Sequence, residues 1–410
     1  MRFKHWTDAQ NTYIEAIFDD DDNPVGNREE GPGVEIEIEE RKLVFDYPVK
    51  NIHPDILGLI CMLNFFPFVG SRVEFPEPVS PRLEKAFQRV PFTNKKIIKF
   101  VNVDNSIPKY KGSTISIAFG GGVDSSAVRE MFPEAFLIHE AHIKDGRLLR
   151  YYSHDIVEKI GKDGAALVAT NQRYVSNPGG WHSWPCSMVT SLLMATDRDI
   201  GIILCGSVMG SNYLWNGAKY YDRPASREFQ GFSGNYWQSV FHDIGIPLFS
   251  PIDGISEYGS MSVSIELIKA GEVVYCMGDK GEACNRCTKC FRREVIRTSV
   301  QSDFIPNWDN YNNEMIHNFL ENRPLYFGHI FSYARKSGKL PEWVTSRISD
   351  VQKIDTDWPL KYYSKALEFC PVGWEETIIQ RIKNFFEIMT EEEEEELINW
   401  DQEKNNSRLS

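Results

Sequence analysis

Apolar and polar positions follow three different rhythms along this chain, and each predicts a different kind of element. Val34, Ile36 and Ile38 alternate with Glu35, Glu37 and Glu39, the period of a half-buried strand. Leu43, Val44 and Phe45 continue the pattern as a hairpin or second strand. Pro76, Pro78 and Pro81 mark Phe75–Pro81 as a turn or connector. Residues 1–110 therefore read as an N-terminal β-rich region. From 111 to 300 the rhythm changes. Short, mostly apolar runs at Thr114–Phe119, Ala135–His142, Ala165–Thr170 and Ile200–Cys205 predict strands covered on both faces. Helical stretches lie between them, including Asp124–Met131, His154–Ile160 and Trp184–Thr196. Such alternation predicts an α/β fold with a parallel sheet. Residues 301–410 read as a C-terminal helical region. Trp374, Ile378, Ile382, Phe385 and Met389 fall at helical spacing on one apolar face, and Glu391–Glu396 reads as a solvated, like-charged run.

A chain of 410 residues is too long for one ordinary core and predicts two or three domains. Its 42% hydrophobic and 25% charged residues are those of a soluble globular protein, which argues against wholesale disorder. The formal net charge of −13 gives no general attraction for nucleic acid or an anionic membrane. The opening MRFKHWTDAQ has no apolar core of a secretion signal. The longest apolar stretch, Ile56–Val69, contains Asn64 and Pro67 and is too short to span a bilayer, so it reads as a buried helix. Four of the eight cysteines crowd into fifteen residues. Without a secretion signal that spacing favours a metal over disulfides and a reducing cytoplasm.

Ser116-Ile-Ala-Phe-Gly120-Gly121-Gly122-Val123-Asp124-Ser125-Ser126 carries the chemistry. An apolar strand runs into three glycines and then a helix, with Asp124, Ser125 and Ser126 as capping candidates. Glycines let the backbone approach a ligand closely. Successive N–H groups and the helix start then form an anion nest, and the serines add hydroxyl donors. Asp124 is suited to cap the helix or to help hold Mg²⁺. No Gly-Lys-Ser/Thr follows and a third spaced glycine is missing, so this is neither a Walker A loop nor a dinucleotide fingerprint. His139, Glu140 and His142 close the second strand, where α/β sheets place ligands.

Cys276, Cys284, Cys287 and Cys290 supply four thiolates, a closed set for structural Zn²⁺; an iron–sulfur cluster is the alternative. Lys280, Arg286, Lys289, Arg292, Arg293 and Arg297 surround them. Most of these cations read as solvated surface, with a positive rim beside a phosphate as the sharper reading.

From Gly121 to Ser125 the loop resembles the PP-loop of ATP pyrophosphatases, Ser-Gly-Gly-x-Asp-Ser, with Gly120 standing where that family has its first serine. A PP-loop followed at this distance by the cysteines and arginines resembles the 7-cyano-7-deazaguanine synthase (QueC) family over about residues 113–298. The resemblance implies a PP-loop core and ATP cleaved between the α- and β-phosphates with Mg²⁺. It further implies adenylation of a 7-carboxy-7-deazaguanine-type acid and transfer of the acyl group to ammonia or another nitrogen nucleophile. It casts Asp124 and Ser125 as catalytic. Gly120, Gly121, Gly122, Val123, Asp124, Ser125, Ser126, His139, Gly206 and Ser207 become the nucleotide contacts. Tyr221, Asp222, Arg223 and Glu228, which look like a stretched form of the family's Tyr-Pro-Asp-Cys-Arg-Pro-Glu-Phe segment, become the substrate contacts. Tyr213, Trp215 and Tyr220 could add an aromatic slot. Ser256-Glu257 stands where the family has Thr-Lys, so that lysine is missing. Trp181, His182, Trp184 and Cys186 read as a lid or core element. The extra flanks resemble those of QueC-like proteins of anti-phage defence systems and could bind a protein partner. Two other functions remain open. One is a PP-loop amidotransferase or sulfurtransferase acting on sugar or tRNA, with Cys186 or Cys205 as the mobile thiol. The other is a non-catalytic nucleotide-binding module. The sequence does not decide whether the chain forms a homo-oligomer.

Overall fold

The computed structural model describes residues 1–28, 34–90, 98–149, 151–222, 235–276 and 283–406. Its main sheet is built from β1 (Arg2–Thr7), β2 (Thr12–Ile17), β3 (Lys42–Phe45), β4 (Thr114–Ala118), β5 (Phe136–Lys144), β6 (Ala165–Thr170), β7 (Ile200–Leu204) and β8 (Leu248–Phe249). The strands lie in the order β1-β2-β3-β6-β5-β4-β7-β8, and Arg147–Leu149 folds back on β5. From β6 to β8 every pairing is parallel, whereas β1, β2 and β3 add antiparallel strands at one side. The four expected strands lie within a residue or two of their predicted ends. All of β7 is buried, as a strand covered on both faces requires.

The helices that matter for the site are α1 (Pro54–Phe65), α2 (Val123–Met131), α3 (Tyr152–Ile160), α4 (Asn235–Ile244), α5 (Glu257–Lys269), α6 (Thr288–Val300) and α7 (Gly328–Ala334), followed by α8 (Glu375–Phe385) and α9 (Glu391–Ile398). Alternate strand residues face opposite sides. Ile117, Leu137 and Leu204 pack with Val128 of α2, Ile156 of α3, Met261 of α5 and Val295 of α6. On the other face, Ile138, Val168 and Ile203 pack with Ile60 of α1 and Phe241 of α4. In sequence order the five parallel strands read third, second, first, fourth, fifth. The crossovers therefore diverge between β4 and β7, opening a crevice at the carboxyl ends of those two strands.

Both flanks share these cores. β1 to β3 extend the main sheet across residue 110, and Ile330, Phe331, Trp358 and Ile382 join the core of α2 and α6 across residue 300. The two N-terminal strand patterns part company. Glu35–Ile38 forms a small sheet with Val25–Asn27 and Ser176–Asn177, while Lys42–Phe45 joins the main one. Ile56–Val69 is helical as expected, as α1 and a following 3-10 turn. Trp184–Thr196 is instead a 3-10 segment at Trp184–Met188 followed by a short α-helix at Val189–Leu193.

The C-terminal expectations need two corrections. Of the apolar face on α8, Ile378 and Ile382 are buried, but Phe385 is 42% exposed and Met389 lies beyond the helix end. The glutamate run is also more than a solvated charge. Thr390 and Glu393 form a reciprocal capping box at the start of α9, and Glu393 is buried against Lys361 at 2.8 Å. No helix among the described residues is long and apolar enough to cross a membrane.

Candidate functional site

The glycine loop leaves β4 at the mouth of the crevice. Gly121 has φ 74°, a left-handed conformation that favours glycine, and a Cβ there would stand 2.9 Å from Ser153 Cβ. Its carbonyl accepts from the Val274 amide at 2.7 Å. The loop is thus clasped between α3 and the segment that follows α5. The helix begins at Val123, so the N-cap is Gly122, which offers no side chain to the first-turn amides. This corrects the expectation that Asp124, Ser125 or Ser126 caps the helix: all three lie inside its first turn, too late to do so. Ser125 Oγ donates back to the Gly122 carbonyl at 3.2 Å. Ser126 Oγ is buried and has no hydrogen-bond partner. Asp124 instead accepts from Ser260 Oγ on α5 at 2.8 Å.

A cavity of about 170 Å³ opens on this helix start between α2, α5 and α6. Asp124 and Glu257 face it together with Lys289, Arg292 and Arg293. The three cations and Ile296 follow the i, i+3, i+4, i+7 spacing that puts them on one face of α6. Arg293 is buried and donates through Nη1 to the carbonyls of Val274 (3.2 Å) and Tyr275, which fixes the segment holding Gly121. A Cβ on Gly122 would stand 3.9 Å from Arg293 Nη2, so the guanidinium adjoins the α2 amides. Arg292 stacks over Phe327 with its Cζ 3.7 Å from the ring centroid. Lys289 stands exposed at the mouth.

The two carboxyl groups are tuned in opposite directions. Burial raises the pKa of Asp124, and the nearby Arg293 charge offsets this only in part. Burial would also raise Glu257, but His329 and Arg292 overcome it and bring Glu257 below the usual carboxylate range. His329 Nε2 lies 2.9 Å from Glu257 Oε2. The cavity therefore sets three cations against two carboxyl groups, a setting for an anion.

The four cysteines anchor the helix that carries these cations. Their sulfur atoms all lie within 4.8 Å of one another. Tetrahedral zinc with bonds of about 2.3 Å sets sulfurs about 3.8 Å apart, and Cys284 Sγ and Cys290 Sγ are 3.7 Å apart. Asn285 takes a left-handed φ of 55° inside the Cys284–Cys287 step, turning the second sulfur back toward the first. Cys287 is the N-cap of α6, its sulfur accepting from the Cys290 amide at 3.4 Å. Burial pushes the Cys284 thiol up, but the Arg286 and Cys287 amides outweigh it and bring it down to about 6. Burial pushes Cys287 and Cys290 up. Four thiolates this close repel one another unless a cation sits among them, so the cluster could bind a metal such as zinc. None of the eight cysteines is in a disulfide.

Gly206, after β7, reaches the first turn of α2, whereas Ser207 turns to Ser250 and Asn212. Gly206 packs on the Ser125 amide, and Ser207 Oγ accepts from Asn212 at 2.9 Å. His139 does not open to the cavity. Its Nδ1 meets the Phe119 carbonyl at 2.7 Å and its Nε2 meets Ser153 Oγ at 3.1 Å, so it braces the base of the loop. Burial pulls its pKa down to about 4. Tyr221 and Asp222 do not line this cavity. Asp222 is ion-paired with Lys365, and the Tyr221 ring stands edge-on to Trp215 at 5.8 Å. Tyr213 is buried in the core against Tyr363, and Tyr220 meets the Tyr363 hydroxyl at 3.1 Å. Arg223, Glu228 and Lys280 lie outside the described residues. Arg286 is exposed, and Arg297 turns to Gln301 and Phe304.

Sequence reasoning missed Glu257, Ser260, His329 and Phe327. The first two sit on a helix with no strong apolar stripe, and His329 and Phe327 come from a distant segment. The helical spacing of Lys289, Arg292, Arg293 and Ile296 was the signal that could have separated cavity cations from surface ones.

The model of a family of unknown function, DUF6395, matches residues 236–401. That span holds α5, the cysteine cluster, α6 and the C-terminal helices, and it leaves out the glycine loop. No curated protein and no solved structure matches the chain.

Proposed function

We propose that this protein is an ATP-dependent, AMP-forming carbon–nitrogen ligase built on a PP-loop core and acting on a 7-carboxy-7-deazaguanine-type acid. One observation carries the reading: the uncapped start of α2 faces Lys289, Arg292 and Arg293 across a cavity at the sheet's crossover crevice. Helix amides and converging cations suit a polyphosphate. A carboxylate resists attack because oxide is a poor leaving group. Adenylation replaces that leaving group with AMP, and the site must then stabilise the departing pyrophosphate. Arg293 and the α2 amides are placed to hold it, with Arg292 and Lys289 screening its charge. Asp124 and Glu257 give oxygen donors facing the same cavity, the donor set Mg²⁺ takes beside phosphates. The ion would neutralise charge developing on the phosphates. His139, through the Phe119 carbonyl, keeps the loop in position.

The sulfurtransferase alternative loses support, because Cys186 and Cys205 are buried and burial pushes the Cys205 thiol well up. Reduced cysteines at the metal cluster suit a cytoplasmic setting. To test the ligase reading, the protein is incubated with ATP, Mg²⁺ and 7-carboxy-7-deazaguanine, with and without ammonia, and product masses are followed. With ammonia, one AMP is expected for each amide formed, and a second AMP for each amide carried on to the nitrile. A mass gain on protein without ammonia points to an amine acceptor, and no AMP under any condition sinks the reading.

A further inference from the structure

The cavity takes part of its wall from a segment far along the chain. Phe327 stands just before α7 and lines the cavity beside Arg292 of α6. Its φ of 59° and ψ of 35° are left-handed, a conformation that a bulky residue rarely adopts. Glycine or asparagine would reach it at lower cost, so this position is built around the Phe327 ring. Distant contacts hold the backbone there. The Phe327 amide donates to the Asn216 carbonyl at 2.6 Å, and a Cβ on Gly217 would stand 2.5 Å from Phe327 Cα. The Arg292 guanidinium lies over the ring with its Cζ 3.7 Å from the centroid, and the Tyr326 ring meets Phe327 edge-on at 4.8 Å. Stacking uses only a face of the guanidinium and leaves the N–H donors in its plane free to bond. Among the described residues Arg292 makes no hydrogen bond and no ion pair. Arg293, by contrast, uses Nη1 on the carbonyls of Val274 and Tyr275. Glu257, the carboxylate whose charge acts on Arg292, is engaged by His329, two residues past Phe327.

We propose that Phe327 is a positioning residue that holds Arg292 as a two-pronged clamp on a phosphate group, so that the C-terminal region completes the anion site. The assignment rests on the ligase reading for the identity of the anion and adds to it the residue that orients the clamp. A planar guanidinium offers paired donors that match two oxygens of one phosphate, a match that an ammonium group cannot make. Its long stem would otherwise be free to turn, and the ring beneath it fixes the plane. Phe327 acts only through Arg292, because Arg292 already covers the face that a planar ligand would stack on.

Calorimetric titration of the full-length protein with pyrophosphate tests this. Phe327→Ala should weaken binding by about tenfold, whereas Phe327→Tyr, which keeps the ring, should stay within about twofold of the wild type. With Arg292→Ala already present, Phe327→Ala should cause no further loss, because two residues that act as one unit are not additive. Arg292→Lys keeps the charge and loses the fork, so it should lose about as much as Phe327→Ala. That arm stands even if the Phe327 variants fold poorly. Unchanged affinity in F327A or R292K, or the same loss from F327A with and without Arg292, overturns the assignment. Wild-type protein that binds no pyrophosphate overturns the ligase reading as well.

Discussion

Gly206 lies so close to Ser125 that a Cβ on it would stand 2.6 Å from the Ser125 amide nitrogen and 2.7 Å from the Asp124 carbonyl carbon. The turn after β7 is therefore pressed onto the first turn of α2. Both contacts are with backbone, which cannot rotate away. Gly206→Ala should cost about 1–3 kcal/mol and weaken pyrophosphate binding. Urea unfolding and calorimetric titration check the two effects separately.

Gly120 behaves in the opposite way. A Cβ there would meet only Ser125 Oγ, at 3.9 Å, and the residue is not in the left-handed region. The missing PP-loop hydroxyl is not forced by packing. Gly120→Ser should fold with unchanged stability and bind pyrophosphate more tightly, by up to about tenfold if the hydroxyl makes one charge-assisted bond. A variant that binds more weakly would place the anion elsewhere.

The cysteine cluster holds the start of α6, and α6 carries the cavity cations. Purified protein should contain one metal ion per chain by elemental analysis. Cys290→Ser should release it, lower the unfolding temperature and reduce pyrophosphate affinity with no cation removed. Loss of metal with full retention of anion binding would show that the cluster does not position Arg292 and Arg293.

Much of this arrangement was legible because local pattern and local structure agree. The run Ser116–Ala118, the three glycines and the helix after them are contiguous, so the β4–α2 turn could be read directly. The four cysteines share one short segment, and their spacing suits one metal. What could not be read depends on contacts between distant parts of the chain. β8 has two residues and no period of its own. β1 and β2 reach the main sheet only through β3, a pairing that no local rhythm encodes. His329 looked like any lone histidine until the fold brought it to Glu257, 72 positions away. The capping error at α2 arose because Asp and Ser are favoured caps, whereas the helix starts at Val123, two residues earlier than a cap at Asp124 allows.

His139 and His182 both have pKa values pulled down to about 4, chiefly by burial. Between that value and the unfolded value near 6.5, the unfolded chain binds more protons than the folded one. Stability is therefore present above pH 6.5 and is lost as pH falls toward 4, by on the order of 3 kcal/mol for each histidine. Urea midpoints measured from pH 7 to pH 4 should fall, and His139→Asn should flatten the slope. An unchanged slope in that variant would mean that His139 is already protonated in the fold.

The central claim is that ATP is cut between its α- and β-phosphates at the start of α2, where Arg293 stands ready for the leaving group. Phosphorus NMR of a reaction with ATP, Mg²⁺ and 7-carboxy-7-deazaguanine reads the cleavage position directly. The account predicts AMP and pyrophosphate in equal amounts, dependent on the acid. ADP with orthophosphate, or intact ATP in the presence of the acid, would contradict it.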